Sequence, residues 1–283
     1  MAQSALWFAV MSLLVKIASR TMPTMQIVFG RGCFTLALSA LVLCRVRINP
    51  FASARRRLLL TRGLVGSCAL VCFYAAVVHL PLAEATVIHQ TAPLFTAVFA
   101  AIWLHEKLEA RVLLGIVLCL GGVMMIARPE WLFGEHPALP AFPWQFAFVA
   151  LLGSLLSAVA YVTVRRLGRT ENPLVVVFYF PLVTVPMTAA FAIPQWIWPD
   201  WQGWLLLLGI GLSTQIAQVA LTKGLAREPA GRATTVGYLQ VAFATLFGAV
   251  MFGAWPDAWS IGGMVLILGS LVGSTGIWRR KAH

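Results

Sequence analysis

Apolar residues in this chain come in runs of about 20, the length of helix that crosses the hydrocarbon core of a bilayer. Short polar or turn-forming stretches cut these runs apart. The cuts predict ten spans, over 3–20, 24–44, 59–79, 82–104, 110–127, 144–165, 173–193, 202–222, 232–252 and 258–278. Connections are tight. Only "LPLA" separates the third and fourth spans, and Pro81 there suits a hairpin turn. The opening "MAQSALWFAVMSLLVKIASR" has no basic start and no A-x-A site, so it reads as the first spanning helix rather than a leader.

The polar positions inside these runs are the informative ones. An unsatisfied polar group in hydrocarbon costs several kcal/mol, so such side chains face a partner helix or a wet cavity. At helical spacing they form stripes. The first span offers Trp7, Ser12 and Lys16, and the third Ser67 and Tyr74, with His79 at its outer end. The fourth carries Thr86, His89, Gln90, Thr91 and Pro93 near its middle. The sixth offers Ser154, Ser157 and Tyr161, the eighth Gly211, Gln215, Gln218 and Thr222, and the ninth Thr234, Tyr238 and Gln240. Each stripe has a plain alternative. Ser and Thr bond back to their own carbonyls, and Gln pairs serve as glue between helices. The four tyrosines, Tyr74, Tyr161, Tyr179 and Tyr238, favour a cavity. All lie within spans, although Tyr prefers the interface, and a buried hydroxyl needs a partner. His89 is open to both readings, ligand contact or satisfied core histidine. Pro93 removes a hydrogen bond and frees the carbonyl of His89, which implies a bend.

Composition and charge then settle the setting. The chain is 60% hydrophobic and only 11% charged, with a mean hydropathy of +0.86. Soluble chains carry about 25% charged residues. The net charge of +12 invites a nucleic-acid reading, but the cations sit in short bursts between apolar runs. They behave as a topology signal. With the N-terminus in the cytoplasm, 17 of the 21 Lys and Arg fall in inside segments. Only Arg20 and Arg128 fall outside, and Lys16 and Arg31 lie within spans. Both termini are therefore expected in the cytoplasm. Outer segments gather Trp131, Trp144, Trp196, Trp198, Trp201, Trp204, Trp255 and Trp259 as an interfacial belt. A charge inside a span marks a functional site unless it snorkels. Lys16, near the end of its span, suits snorkelling. Arg31, seven residues into its span, suits carbonyls or a polar pocket.

The chain repeats itself. At an offset of 148, Ala85 meets Ala233, Thr86 meets Thr234, Phe95 meets Phe243, Phe99 meets Phe247, Gly115 meets Gly263 and Gly121 meets Gly269. Each copy holds five spans. Five is odd, so the second copy enters the membrane inverted, a transporter architecture with its site near the midplane. The expected organisation is a first repeat over 1–130, an outer linker over 131–143 and a second repeat over 144–283. Glycines such as Gly121, Gly122, Gly262, Gly263, Gly269 and Gly273 allow close helix approach, within one chain or between two, so monomer and homodimer both stand.

Several chemistries find no footing. The nine acidic residues all fall in loops or at helix ends, which argues against a carboxylate-based proton or sodium site. H-E-x-x-H, G-x-S-x-G and P-loop motifs are missing, so no enzyme, metal or cofactor is expected. Cys68 and Cys72 share a helix face, but no His or carboxylate joins them at metal-ligand spacing.

"VFGRGCFTLAL" and "FYAAVVHLPLAEATVIHQTAPLFTAVFAAIWLHEKLEARVLLGIVLCLGGVMMIARP", with an echo after Gly237, resemble the EamA-type drug/metabolite transporter superfamily. Arg31, the "LPLAEA" hairpin, Pro93 and Glu106 of the "HEKL" turn match its pattern. The second half departs, with Val241 where the first has Pro93 and Ala254 where it has Glu106. The resemblance implies an all-α fold of ten transmembrane helices as two inverted five-helix repeats around a central substrate cavity. It implies export or exchange of small amphipathic metabolites by alternating access in a cell inner membrane. The mid-span aromatics look most like the aromatic amino-acid exporters of that superfamily. A carrier of nucleosides, cofactors or anionic metabolites is the alternative, and a non-transporting scaffold subunit lies in another class. The residues expected to contact substrate are Trp7, Tyr74, His79, His89, Gln90, Tyr161, Gln215, Gln218 and Tyr238. Lys16, Arg31, Pro93 and Gln240 are expected to shape or gate the path. Partners are a small-molecule substrate and the lipid bilayer, with no nucleic acid.

Overall fold

A computed structural model of the chain describes residues 1–80, 82–127, 144–253 and 255–275. The expected linker at 131–143, Pro81, Ala254 and the basic Arg279, Arg280 and Lys281 lie outside the described residues. Within them are twelve α-helices and no strand. These are α1 (Ala2–Ala18), α2 (Thr24–Val46), α3 (Arg56–His79), α4 (Leu82–His89), α5 (Ala92–Leu104) and α6 (Ala110–Ala127). They continue with α7 (Trp144–Leu167), α8 (Pro173–Ala192), α9 (Trp201–Arg227), α10 (Ala230–Val236), α11 (Leu239–Phe252) and α12 (Ala258–Thr275).

Local chemistry sets several of these ends. Asn172 accepts the Leu174 N–H, with Pro173 as the first residue of α8. Asp200 accepts the Gly203 N–H at the start of α9. Eight apolar segments of 18–27 residues are long enough to cross a membrane, and Ala2–Ala18 and Ala258–Leu271 are shorter apolar helices. Two expected spans are not single helices. The fourth is divided into α4 and α5, and the ninth into α10 and α11.

The chain forms two compact units that do not follow its two sequence halves. One holds residues 1–67 and 163–228. The other holds 68–162 and the chain from Pro229 onward. α3 and α7 each contribute a part to both.

In the first unit, α1 packs on α9, and α2 on α8 and α9. Ala18, Met22, Ile27, Leu207 and Ile210 form its core, flanked by Leu14 and Phe34. Gly211 lets α2 and α9 come close: a Cβ there would stand 2.6 Å from Phe34 Cβ. Polar groups are matched pairwise. Ser4 donates to the Ala217 carbonyl at 2.9 Å, and Ser67 and Thr184 share a 2.7 Å hydroxyl pair. Gln26, fully buried, uses both ends of its amide on the backbone of Ile197. Arg165 Nη1 donates to the carbonyls of Leu225 and Ala226, closing the C-terminal end of α9.

The second unit is built on α6 against α12. A Cβ on Gly122 would stand 2.6 Å from the Gly263 carbonyl oxygen, and one on Gly263 2.5 Å from that of Gly122. Backbones this close exclude any larger residue. Ser270 donates to the Gly115 carbonyl at 2.7 Å, and Cys119 Sγ meets Ser270 at 3.4 Å. These contacts follow the offset of 148. Gly115 corresponds to Gly263 and Gly122 to Ser270, so the two contacts are reciprocal. Cys119 meets Ile267, its own counterpart.

Candidate functional site

Where α4 gives way to α5, the backbone tightens. Gln90 N–H still reaches Thr86 O, but Thr91 N–H bonds only three residues back, to Ile88 O. The N–H groups of Leu94 and Phe95 then both reach Thr91 O. Pro93 has no N–H to offer to His89 O. The Gln90 carbonyl, also left outside both helices, is taken by the Tyr238 hydroxyl at 2.7 Å.

The side chains of this break turn toward α7. Thr91 Oγ1 donates to Ile88 O at 2.6 Å and lies 2.8 Å from Ser154 Oγ. His89 Nε2 lies 3.5 Å from Ser157 Oγ. The Phe73 ring of α3 tilts over the His89 ring, with centroids 4.6 Å apart, and Tyr74 packs edge-on against Phe73. Ser154, Ser157 and Tyr161 share one face of α7, so the helix that meets His89 and Thr91 also presents Tyr161. The result is an uncharged hydrogen-bonding cluster beside aromatic rings, set at a break in a membrane-length segment.

The second break, between α10 and α11, has no proline. Gly237, Tyr238, Gln240 and Val241 each donate three residues back, to Thr234, Thr235, Gly237 and Tyr238. Thr234 and Thr235 direct their hydroxyls to the carbonyls of Ala230 and Gly231. Tyr238 is 1% exposed, packed among Val87, Ile116, Cys119 and Ile267. Its hydroxyl serves the other break, and its ring belongs to the core of the second unit.

The remaining expected residues fall in separate places. In the first unit Gln215 accepts the Ser39 hydroxyl at 3.0 Å. Gln218 Oε1 and Thr222 Oγ1, one turn apart on α9, take no partner among the described residues. Thr35, Thr96, Thr184, Thr188, Thr214 and Thr245 instead bond back to their own helices. Trp7 is half-buried on α1 and Lys16 is exposed near its end. Arg31 is 7% exposed, and its Nη1 meets Met11 Sδ at 3.5 Å. His79 is exposed and stacks on Phe146, centroids 3.8 Å apart, away from the His89 cluster. Gln240 is the second residue of α11 and is half-buried.

The sequence reading did not single out Ser39, Gln26 or the buried role of Arg165. Ser39 had a signal: Arg31, Thr35 and Ser39 recur every four residues on α2. Gln26 and Arg165 act on backbone atoms far along the chain, and no spacing announces that. Glu106 acts at a distance too, accepting the Ala230 N–H at the start of α10 at 2.8 Å.

The EamA-like transporter family matches residues 1–128 and 144–276. The pseudopaline exporter CntI of Pseudomonas aeruginosa is 32% identical over 268 residues, covering 92% of this chain and 89% of its own. A probable transport protein of Saccharomyces cerevisiae is 30% identical over 235 residues, covering 77% of this chain and 67% of its own. Solute carrier family 35 member G1 of Mus musculus is 29% identical over 229 residues, covering 78% and 62%. A crystal structure of another protein aligns with 100% of this chain and 97% of its own at a TM-score of 0.84 and 19% identity, a likeness of fold.

Proposed function

Because the chain belongs to the EamA-like transporter family of the drug/metabolite transporter superfamily, we propose that it exports small metabolites with an amphipathic character, aromatic or neutral amino acids foremost. It is a multi-pass membrane protein. The observation that carries the reading is the broken α4–α5 segment with His89, Thr91, Ser154 and Ser157 gathered at the break. Irregular backbone at membrane depth is tolerated where it lines a cavity or meets a polar neighbour. An uncharged hydrogen-bonding cluster beside Phe73 and Tyr74 matches a molecule with polar head and apolar body.

In this reading α1 and α12 also span, α4–α5 and α10–α11 each count as one span, and the ten spans form two inverted repeats over 1–130 and 144–283. The reciprocal contacts of Gly115 with Ser270 and of Gly122 with Gly263 support it, since reciprocity is the mark of a two-fold relation. Both termini face the cytoplasm, in an inner membrane, on the strength of the Lys and Arg bias. The two breaks act as the hinge points of alternating access, and transport needs no catalytic step.

Counterflow in proteoliposomes loaded with Phe, Trp, Thr or Met tests this directly. We expect exchange of at least one of them. No exchange of any, by protein shown to be folded, would remove the amino-acid cargo. A second cargo comes from the relative named as a pseudopaline exporter, and pseudopaline belongs in the same assay. A non-transporting scaffold is the reading left if neither class is exchanged and Gln215→Leu alters only stability.

A further inference from the structure

Arg31 is the eighth residue of α2, about 10 Å from the helix start at 1.5 Å per residue, well inside a hydrocarbon core about 30 Å thick. Its side chain is 7% exposed. A guanidinium has five N–H donors and no way to shed its charge. Here it meets the Met11 thioether, a weak acceptor, and no carboxylate or carbonyl among the described residues. The carboxylates of this unit, Glu171, Asp200 and Glu228, stand beyond helix ends.

The same unit treats its other buried guanidiniums differently. Arg165 holds two backbone carbonyls. Arg62 lies 4.4 Å over the Phe180 ring. Arg31 has the Met11 sulfur instead. A buried cation without compensation is expensive, and such strain persists where function needs it.

We propose that Arg31 is the docking point for a carboxylate on the transported molecule. A carboxylate matches the planar fork of a guanidinium with two parallel charge-assisted bonds. It carries one negative charge against one cation. A phosphate dianion would call for a second cation, and Lys16, the other cation of these spans, is exposed near the end of α1. Trp7, one turn along α1 from Met11, offers an apolar face on the same helix. The inference rests on the transport reading and narrows it to carboxylate-bearing cargo.

The test uses the full chain in detergent, with phenylacetate and its neutral isostere phenylacetamide as probes. Phenylacetate should raise the unfolding midpoint of the unmodified protein and phenylacetamide should not. In Arg31→Met the apparent affinity for phenylacetate should fall about 10–100-fold, the equivalent of a charge-assisted hydrogen bond. Without any probe, Arg31→Met should unfold at or above the midpoint of the unmodified protein, because it removes an uncompensated charge. The proposal is overturned by equal shifts with acid and amide, by a phenylacetate shift that survives Arg31→Met, or by an Arg31→Met protein that fails to fold. Counterflow separates it from the wider reading. An Arg31-dependent phenylacetate shift with no amino-acid exchange removes the amino-acid cargo and keeps this site. Equal exchange of phenylalanine and phenylalaninamide keeps transport and removes this site.

Discussion

The breaks at Gln90–Thr91 and at Gly237–Tyr238 lie one residue apart in the repeat alignment, yet different residues make them. In the first, Pro93 withholds an N–H and Thr91 collects the displaced donors. In the second, a run of three-residue-back bonds starts at Gly237, and Val241 stands where the other copy has its proline. The two copies differ, but not in whether they break. Both segments break. The first break presents His89 and Thr91 to α7, whereas the second sends the Tyr238 ring into the core and its hydroxyl to the Gln90 carbonyl. One break displays polar groups, and the other holds the first in place.

Removing that support should have the largest effect. Tyr238→Ala leaves a ring-sized void in the core of the second unit and is expected to cost about 3–5 kcal/mol, the range for large aromatic truncations. Unfolding in mixed detergent would read it. A loss below about 1 kcal/mol would mean that the breaks are independent.

Tyr238→Phe keeps the ring and deletes only the hydroxyl. The Gln90 carbonyl then loses its partner, at about 1–3 kcal/mol. The part of the Tyr238→Ala effect that remains in Tyr238→Phe measures how much of the coupling is the hydrogen bond and how much is packing.

His89→Ala probes the displaying side. Exchange should slow about tenfold, equivalent to about 1.4 kcal/mol, with the unfolding midpoint little changed. A fall in the midpoint with no change in exchange would make His89 a packing residue and erase the functional contrast between the breaks.

The smallest effect is expected from exchanging the break-makers themselves. Pro93 and Val241 both sit in the first turn of the helix after the break, where proline is tolerated. Pro93→Ala and Val241→Pro should each change stability by about 1 kcal/mol or less, Val241→Pro through loss of the 3.0 Å bond to Tyr238 O. Unfolding midpoints that drop sharply in either would show that proline, and not the tertiary setting, decides where the segments break.

Some of this was legible from residue order. The polar stripes of the sixth and fourth spans meet as Ser154 with Thr91 and Ser157 with His89, because helical spacing alone fixes which residues share a face. Close packing through Gly122 and Gly263 was readable from the glycines. The break after Gly237 was not. A lone glycine in an apolar run is tolerated inside a helix, and what distinguishes this one is a tyrosine bonded to a carbonyl 148 positions away. His79 and His89 were both expected to contact substrate, but one stacks on Phe146 and the other joins the hydroxyl cluster.

By itself, then, the sequence determined the length and number of the apolar runs, the polar faces within them and the repeat that relates them. These depend on composition and on a periodicity that each helix expresses alone. Only the tertiary structure decided that the compact units cut across the two halves of the chain, that Tyr238 spends its hydroxyl on Gln90, and that Arg31 meets sulfur where Arg165 meets carbonyls. The physical reason is that partners of buried polar groups are set by which helices come within 3 Å of one another, and that choice is made by packing among segments far apart in the chain.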